Sequence, residues 1–225
     1  SYLEEWQTDY DTDVKAITGQ VETVYLVYDQ ISSHAYSAVC DICLAQYETA
    51  KENPTTHFLV CPKYMFEYVD SSHMDNVSYQ WLGEYHGKVQ REVINSGAWS
   101  PLWPTSVTRS GAVITATFNV PEPPIVFDTT IVPAAFANYG FEFSQVGGGG
   151  ETISSVAITD ATNGVVTVTL SGTPTGTSQR LRYAYSKLDS VTLTPRGNLR
   201  DSDAAASLRG YTLYNWCVHF DEAVV

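Results

Sequence analysis

The sequence is short of positive charge. Its 225 residues hold 12 Lys and Arg against 25 Asp and Glu, a formal net charge of -13, and the pI is about 4.6. Nucleic acid is therefore not an expected partner, because phosphate binding needs clustered Lys and Arg. Anionic membrane surfaces are disfavoured on the same ground. Charge of either sign is sparse, at 16% of residues. Long apolar runs are missing too, and no segment approaches the length of a transmembrane helix. The first residues, Ser1-Tyr2-Leu3-Glu4-Glu5, already follow a helical pattern, so no signal peptide is expected there. Cysteine is scarce. Cys40 and Cys43 form a C-x-x-C inside a helical pattern, where a bridge between them is disfavoured. Neither Cys61 nor Cys217 supplies a second ligand pair at zinc spacing. Core packing is the expected use of these thiols, with metal or redox chemistry as the alternative; no metal and no cofactor is expected.

Apolar residues make up 44% of the chain, enough for a core, and aromatics reach 12%, with 15 Tyr and 5 Trp. That supply suits sugar stacking and the interior of a β-sandwich alike. Two compositional regimes meet near Trp99-Ser100-Pro101-Leu102-Trp103-Pro104. Before this point, helical and strand patterns alternate. Leu3, Trp6, Tyr10, Val14 and Ile17 fall on one helical face that ends near Gly19. Val24 to Tyr28 and Phe58 to Cys61 read as buried parallel strands. Ala35 to Ala50 reads as a helix between them, and Val77, Trp81, Tyr85, Val89 and Val93 line a third helix with Asp75 as its N-cap. The order α-β-α-β-α implies right-handed crossovers. Two parallel strands do not make a stable sheet, so further strands are expected from residues outside this chain.

After residue 100, Thr, Val, Gly and Pro dominate and period-two alternation takes over. Ala112–Val120, Ile125–Phe127, Tyr139–Phe143, Ile153–Ile158, Val165–Leu170, Leu181–Tyr185 and Leu213–Phe220 are strand candidates. Asp160-Ala161-Thr162-Asn163-Gly164 is a hairpin turn signal, and Gly147 to Gly150 make a loop tip. The expected fold class is α/β over residues 1–100, followed by an all-β sandwich over residues 101–225.

The chemistry sits in Val69-Asp70-Ser71-Ser72-His73-Met74-Asp75, between a strand pattern and a helix. That is the carboxyl edge of a parallel sheet, where such folds place their sites. An Asp three residues before a His in a tight loop can fix one imidazole nitrogen. The other nitrogen is then available as a general base toward a hydroxyl. Gln30 and His34 follow the first strand at the same edge and are candidate substrate contacts. Cys61, at the end of the second strand, is an alternative nucleophile, although cysteines in buried apolar runs are usually inert.

The stretch from Pro62-Lys63-Tyr64-Met65 through Asp70-Ser71-Ser72-His73 to Tyr79-x-x-Leu82-Gly83-Glu84-Tyr85 resembles the last motif block of the SGNH (GDSL-like) hydrolases. It looks most like the carbohydrate O-acyl esterases of phage tail fibres and spikes, and the sialate O-acetylesterases. Tyr25 to Gln30 resembles the strand before that block. The resemblance implies a partial three-layer α/β/α domain, with His73 as general base and Asp70 as its orienting partner. Arg182-Tyr183-Ala184-Tyr185, Arg196 to Asp203 and Leu213-Tyr214-Asn215-Trp216-Cys217 look like the C-terminal β-domain of such esterases. There Arg200 and Asp201 are expected to pair, and Trp216 and Tyr214 to offer stacking faces to a sugar. Asp201 and Asp203 as calcium ligands is a thinner idea, since no further oxygen ligands can be named.

The family's Gly-Asp-Ser nucleophile block and Gly-x-Asn-Asp block do not occur before Asp70, and Ser32, Ser33 and Ser37 lack that setting. The chain is thus expected to supply half a triad to an esterase acting on an acylated glycan or polysaccharide. The rest would come from an upstream hydrolase segment or a neighbouring subunit. The resemblance implies a virion appendage or an extracellular location, and a possible homotrimer. The alternative is a non-catalytic virion or glycan-binding module on a hydrolase scaffold.

Overall fold

Two short strands lie side by side and parallel at the centre of the first hundred residues. The computed structural model describes residues 1–32, 41–132, 137–186 and 196–225. Helix α1 (Tyr2–Thr18) starts from a capping box at Ser1 and Glu4 and ends at Gly19, whose φ of 71° lets the chain turn left-handed without a Cβ clash. Strand β1 (Leu26–Gln30) pairs in parallel with β2 (His57–Pro62), with Val27 opposite Phe58. Helix α2 (Asp41–Glu52) joins them, and α3 (Asn76–Ser96) follows β2. The Tyr28 hydroxyl donates to the Gln46 carbonyl of α2 (3.2 Å), whereas Asp29 meets His86 of α3. Successive side chains leave a strand on opposite faces, so the two helices cover the two faces of this ribbon.

β2 is buried along its whole length, but β1 is only half-buried and bonds to one neighbour. The apolar stripe of α1 forms as its spacing predicts, yet it faces solvent. Trp6 is 53% exposed, Tyr10 51% and Ile17 83%. The inward side of α1 is held instead by polar groups. Gln7 donates to the Val24 carbonyl (2.6 Å), and Asp11 accepts from the Val24 amide (2.7 Å).

The second half is built of antiparallel strands. One sheet has β3 (Trp103–Ser110), β4 (Val113–Asn119), β8 (Val165–Leu170) and β7 (Ile153–Asp160), in that order. The other has β11 (Phe220–Ala223), β9 (Thr177–Tyr183) and β6 (Phe141–Val146). β5 (Val126–Phe127) pairs with β10 (Leu199–Arg200) in a short ribbon. Ile114, Ala116 and Phe118 of β4 alternate inward and are buried. Phe118 packs on Phe141 and Phe220 of the facing sheet, at ring centroids 6.4 and 6.0 Å apart. The two sheets thus close over a shared apolar interior. Tyr64 of the first half reaches Trp216 and Tyr183 (centroids 6.2 and 6.4 Å), so one continuous core joins the halves.

The segment Leu213 to Val218, expected as strand, is mostly irregular. Its backbone bonds to two separate stretches: to β10 and the residue after it (Asn215 carbonyl to Asp201 amide, Cys217 amide to Leu199 carbonyl), and to the residue before β3 (Val218 amide to Leu102 carbonyl). Strand begins only at Phe220. The expected start of the second helix, Ala35 to Cys40, lies outside the described residues.

Candidate functional site

The loop after β2 is a small hairpin raised on a buried base. Tyr64, Met65, Phe66 and Met74 are all at most 5% exposed. Tyr68 and Met74 form an antiparallel bridge, and the Val69 amide donates to the His73 carbonyl (2.9 Å). Asp70 and His73 occupy the tip. One Asp70 oxygen, Oδ1, accepts from the amides of Ser72 (2.7 Å) and His73 (2.8 Å), the Asx turn that suits this residue type. The other, Oδ2, lies 2.8 Å from His73 Nδ1. The Ser72 amide first, then the imidazole and the His73 amide, hold the Asp70 carboxyl down at about 2. A carboxylate so placed assigns the proton to Nδ1 and leaves Nε2 as acceptor. Nε2 has no partner among the described residues. His73 is 69% exposed at its side chain and Asp70 55%. The structure thus brings this predicted pair together at an exposed loop tip.

α3 starts directly behind the loop. Asp75 caps it, accepting from the Ser78 amide (2.7 Å), and fixes the direction in which the hairpin leaves the sheet. Beneath the hairpin lies a second acid–imidazole pair with no local sequence signal. Asp29, at the end of β1, contacts His86 Nε2 at 3.2 Å and Lys63 Nζ at 2.7 Å. Burial pushes the Asp29 carboxyl up, but His86 and Lys63 together outweigh it and hold it at about 2. This half-buried cluster ties both strand ends to α3.

Gln30 does not face a ligand. It is fully buried; its amide nitrogen donates to the carbonyls of Cys43 (2.8 Å) and His219 (3.0 Å), and its oxygen accepts from the His219 amide (2.8 Å). His34 lies outside the described residues. Trp216 is 1% exposed and packs edge-on against Tyr64, so it has no face to offer a sugar. Tyr214 is half-buried, with the Arg200 guanidinium 3.7 Å from its ring centroid. Arg200 pairs with Asp128 (2.7 Å), not with the Asp201 carboxylate, and reaches only the Asp201 carbonyl. Asp201 instead collects backbone and amide donors from Asn215, Asp203 and Glu122. Among the described residues, no group of three or more His, Cys, Asp or Glu side chains is placed to hold a metal ion.

A serine–imidazole contact also escaped sequence reading. Ser32 Oγ lies 2.6 Å from His219 Nε2, across 187 residues, and His219 Nδ1 lies 2.6 Å from the Ala184 carbonyl. Both residues are fully buried, and Ser32 Oγ also accepts from the Lys63 amide (2.8 Å). Buried, and with its oxygen held by that amide, this serine joins the end of β1, the loop base and the C-terminal segment. Cys61 is equally enclosed, and burial raises its thiol pKa well above the usual value, which keeps it protonated.

These features define the class: an α/β unit with a parallel strand pair and an exposed Asp–His loop, joined to antiparallel sheets. No family model matches the chain, and no curated protein sequence matches it. Among solved structures, a carbohydrate acetylesterase from Xanthomonas citri has a similar fold, with a TM-score of 0.58 at 13% identity. The match covers 93% of this chain and 43% of that one, so this chain spans less than half the length of that protein.

Proposed function

We propose that this chain is part of a carbohydrate O-acyl esterase of SGNH type, with His73 as general base and Asp70 as the carboxylate that orients it. The observation that carries this reading is the 2.8 Å Asp70–His73 contact at the carboxyl edge of the parallel strands, with Nε2 turned outward. The fold likeness to a carbohydrate acetylesterase supports the substrate class. In the reaction, Nε2 takes the proton of an attacking hydroxyl as its oxygen bonds to the acyl carbon. The imidazolium returns that proton to the departing sugar oxygen, and water then releases the acid in a second cycle. The hydroxyl and the oxyanion donors come from a further hydrolase segment or a neighbouring subunit. The outward stripe of α1 and the edge of β1, which has no strand partner among the described residues, are surfaces suited to such a partner. A trimeric virion appendage acting on surface polysaccharide is the setting that the motif block suggests.

The test is acetate release from O-acetylated polysaccharide by the native protein that contains this chain. His73→Ala is expected to lower the rate by about 10³-fold or more, because triad members act as a unit. Full activity in that variant overturns the assignment. A second reading, a glycan-binding module without turnover, is favoured by the wide exposure of the pair. Glycan binding with no acetate release from the native protein would select it.

A further inference from the structure

We infer that the cleft between the second half of α3 and the loops of the β-rich half binds a glycan, at a place separate from the Asp70–His73 loop. The inference rests on the carbohydrate reading above but uses none of its residues. The cleft has a volume of about 300 Å³ and is lined by Lys88, Glu92, Trp99, Glu122 and Asp203, among others. That volume lies at the small end of the range for small-molecule sites, and junctions between structural units are where such sites concentrate.

Its floor is rigid. Lys88, 6% exposed at its side chain, donates to Asp203 Oδ2 (2.6 Å), Asn215 Oδ1 (2.7 Å) and the Leu213 carbonyl (2.7 Å). An ammonium has three protons, and all three are committed. Trp99 forms part of the wall, fixed by its Nε1 donating to the Leu59 carbonyl (2.8 Å). Lys88 Nζ lies 5.7 Å from the indole centroid. At the rim, the backbone of Glu122 is held by Asp201 and Ser202, while its exposed carboxylate has no partner among the described residues. Arg91 and Glu92 stand across the opening, in an exposed contact of 3.3 Å.

This combination selects for a sugar. The half-buried indole of Trp99 supplies apolar wall for the C–H groups of a pyranose, and the rim carboxylates accept from its hydroxyls. An anion is disfavoured at the floor, where the three N–H groups of Lys88 are all taken, and at the rim the carboxylates of Glu92 and Glu122 oppose the one exposed guanidinium, Arg91. A purely apolar ligand would strand the rim charges. Lys88 and Glu92 lie 12 and 16 residues beyond the start of α3, about 18–24 Å at 1.5 Å per residue. The cleft is therefore too far from His73 to receive the acyl group. It is placed to grip another part of the same long polysaccharide, raising its local concentration at the loop.

The test is NMR of the indole N–H resonances of this chain, titrated with unacetylated cello-, xylo-, malto- and mannopentaose, with spermidine and inorganic phosphate as controls. At least one pentasaccharide is expected to shift the Trp99 resonance saturably. Glu122→Ala, which leaves the fixed backbone in place, is expected to weaken that binding about tenfold. Trp99→Ala is expected to abolish it, and if that variant fails to fold, Glu122→Ala decides. No Trp99 shift with any pentasaccharide up to about 10 mM, far weaker than useful recognition, overturns the inference. So does a shift produced only by spermidine or phosphate, or saccharide affinity unchanged in Glu122→Ala. Because no turnover is read, the result is independent of the His73 assay.

Discussion

Replacing Lys88 by Met should destabilise the chain strongly, and by a pH-dependent amount. Met keeps most of the aliphatic stem but removes the ammonium. In the native fold that ammonium joins α3 to the C-terminal segment through Asp203, Asn215 and the Leu213 carbonyl. Asp203 is 13% exposed at its side chain and would keep only the Ala205 amide (2.8 Å) and a long contact to Asn215 (3.5 Å). Breaking a buried ion pair from one side costs about 3–5 kcal/mol. Water entering from the adjoining cleft will soften this, so we expect about 3 kcal/mol at pH 7. Burial raises the Asp203 carboxyl, but the Lys88 bond leads the opposing contacts that hold it below its usual value. A depressed carboxyl contributes stability above its unfolded pKa and loses it as pH falls through the folded one. The gap between wild type and Lys88→Met should therefore narrow as pH drops from about 7 to below about 4. Urea unfolding followed by tryptophan fluorescence measures this directly, and Lys88→Met/Asp203→Asn should recover part of the loss. A cost under about 1 kcal/mol at pH 7, or a double variant no better than the single, would refute the reasoning.

Other outcomes follow from the same geometry. A Cβ added at Gly197 would sit 2.1 Å from the Tyr183 hydroxyl, which also accepts from the Leu199 amide, so Gly197→Ala should cost about 1–3 kcal/mol or more in urea unfolding. Asp29, held at about 2 against an ordinary 3.8, should contribute about 2 kcal/mol that is present above pH 4 and lost as pH falls toward 2. The stabilities of wild type and Asp29→Asn should accordingly converge in acid unfolding. Asp75→Ala should cost about 1 kcal/mol by removing the cap of α3, seen as a lower melting temperature.

What the sequence reveals is what is local. The Asp75 cap, the end of the first helix near Gly19 and the Asp160–Gly164 turn each depend on a few adjacent residues, and each forms as read. Asp70 and His73 are three residues apart, so their contact is legible as well. The helical stripe of α1 is legible as a helix, but which side is covered depends on partners distant in sequence, and polar anchors to Val24 turn the stripe outward. Trp216 reads as a possible sugar platform because aromatic content does not distinguish a core from a surface; contact with Tyr64, 152 positions earlier, decides it. Arg200 finds Asp128 rather than its neighbour Asp201, and His219 finds Ser32, because the continuous core brings both regimes together.

The claim that His73 activates a hydroxyl supplied from beyond these 225 residues can be tested by labelling the native protein with a fluorophosphonate, which bonds to an activated hydroxyl as fluoride leaves. The account predicts a single label, mapped by mass spectrometry outside residues 1–225 and lost in His73→Ala. A label on Ser32, a label that persists without His73, or no label on an actively deacetylating protein would contradict it.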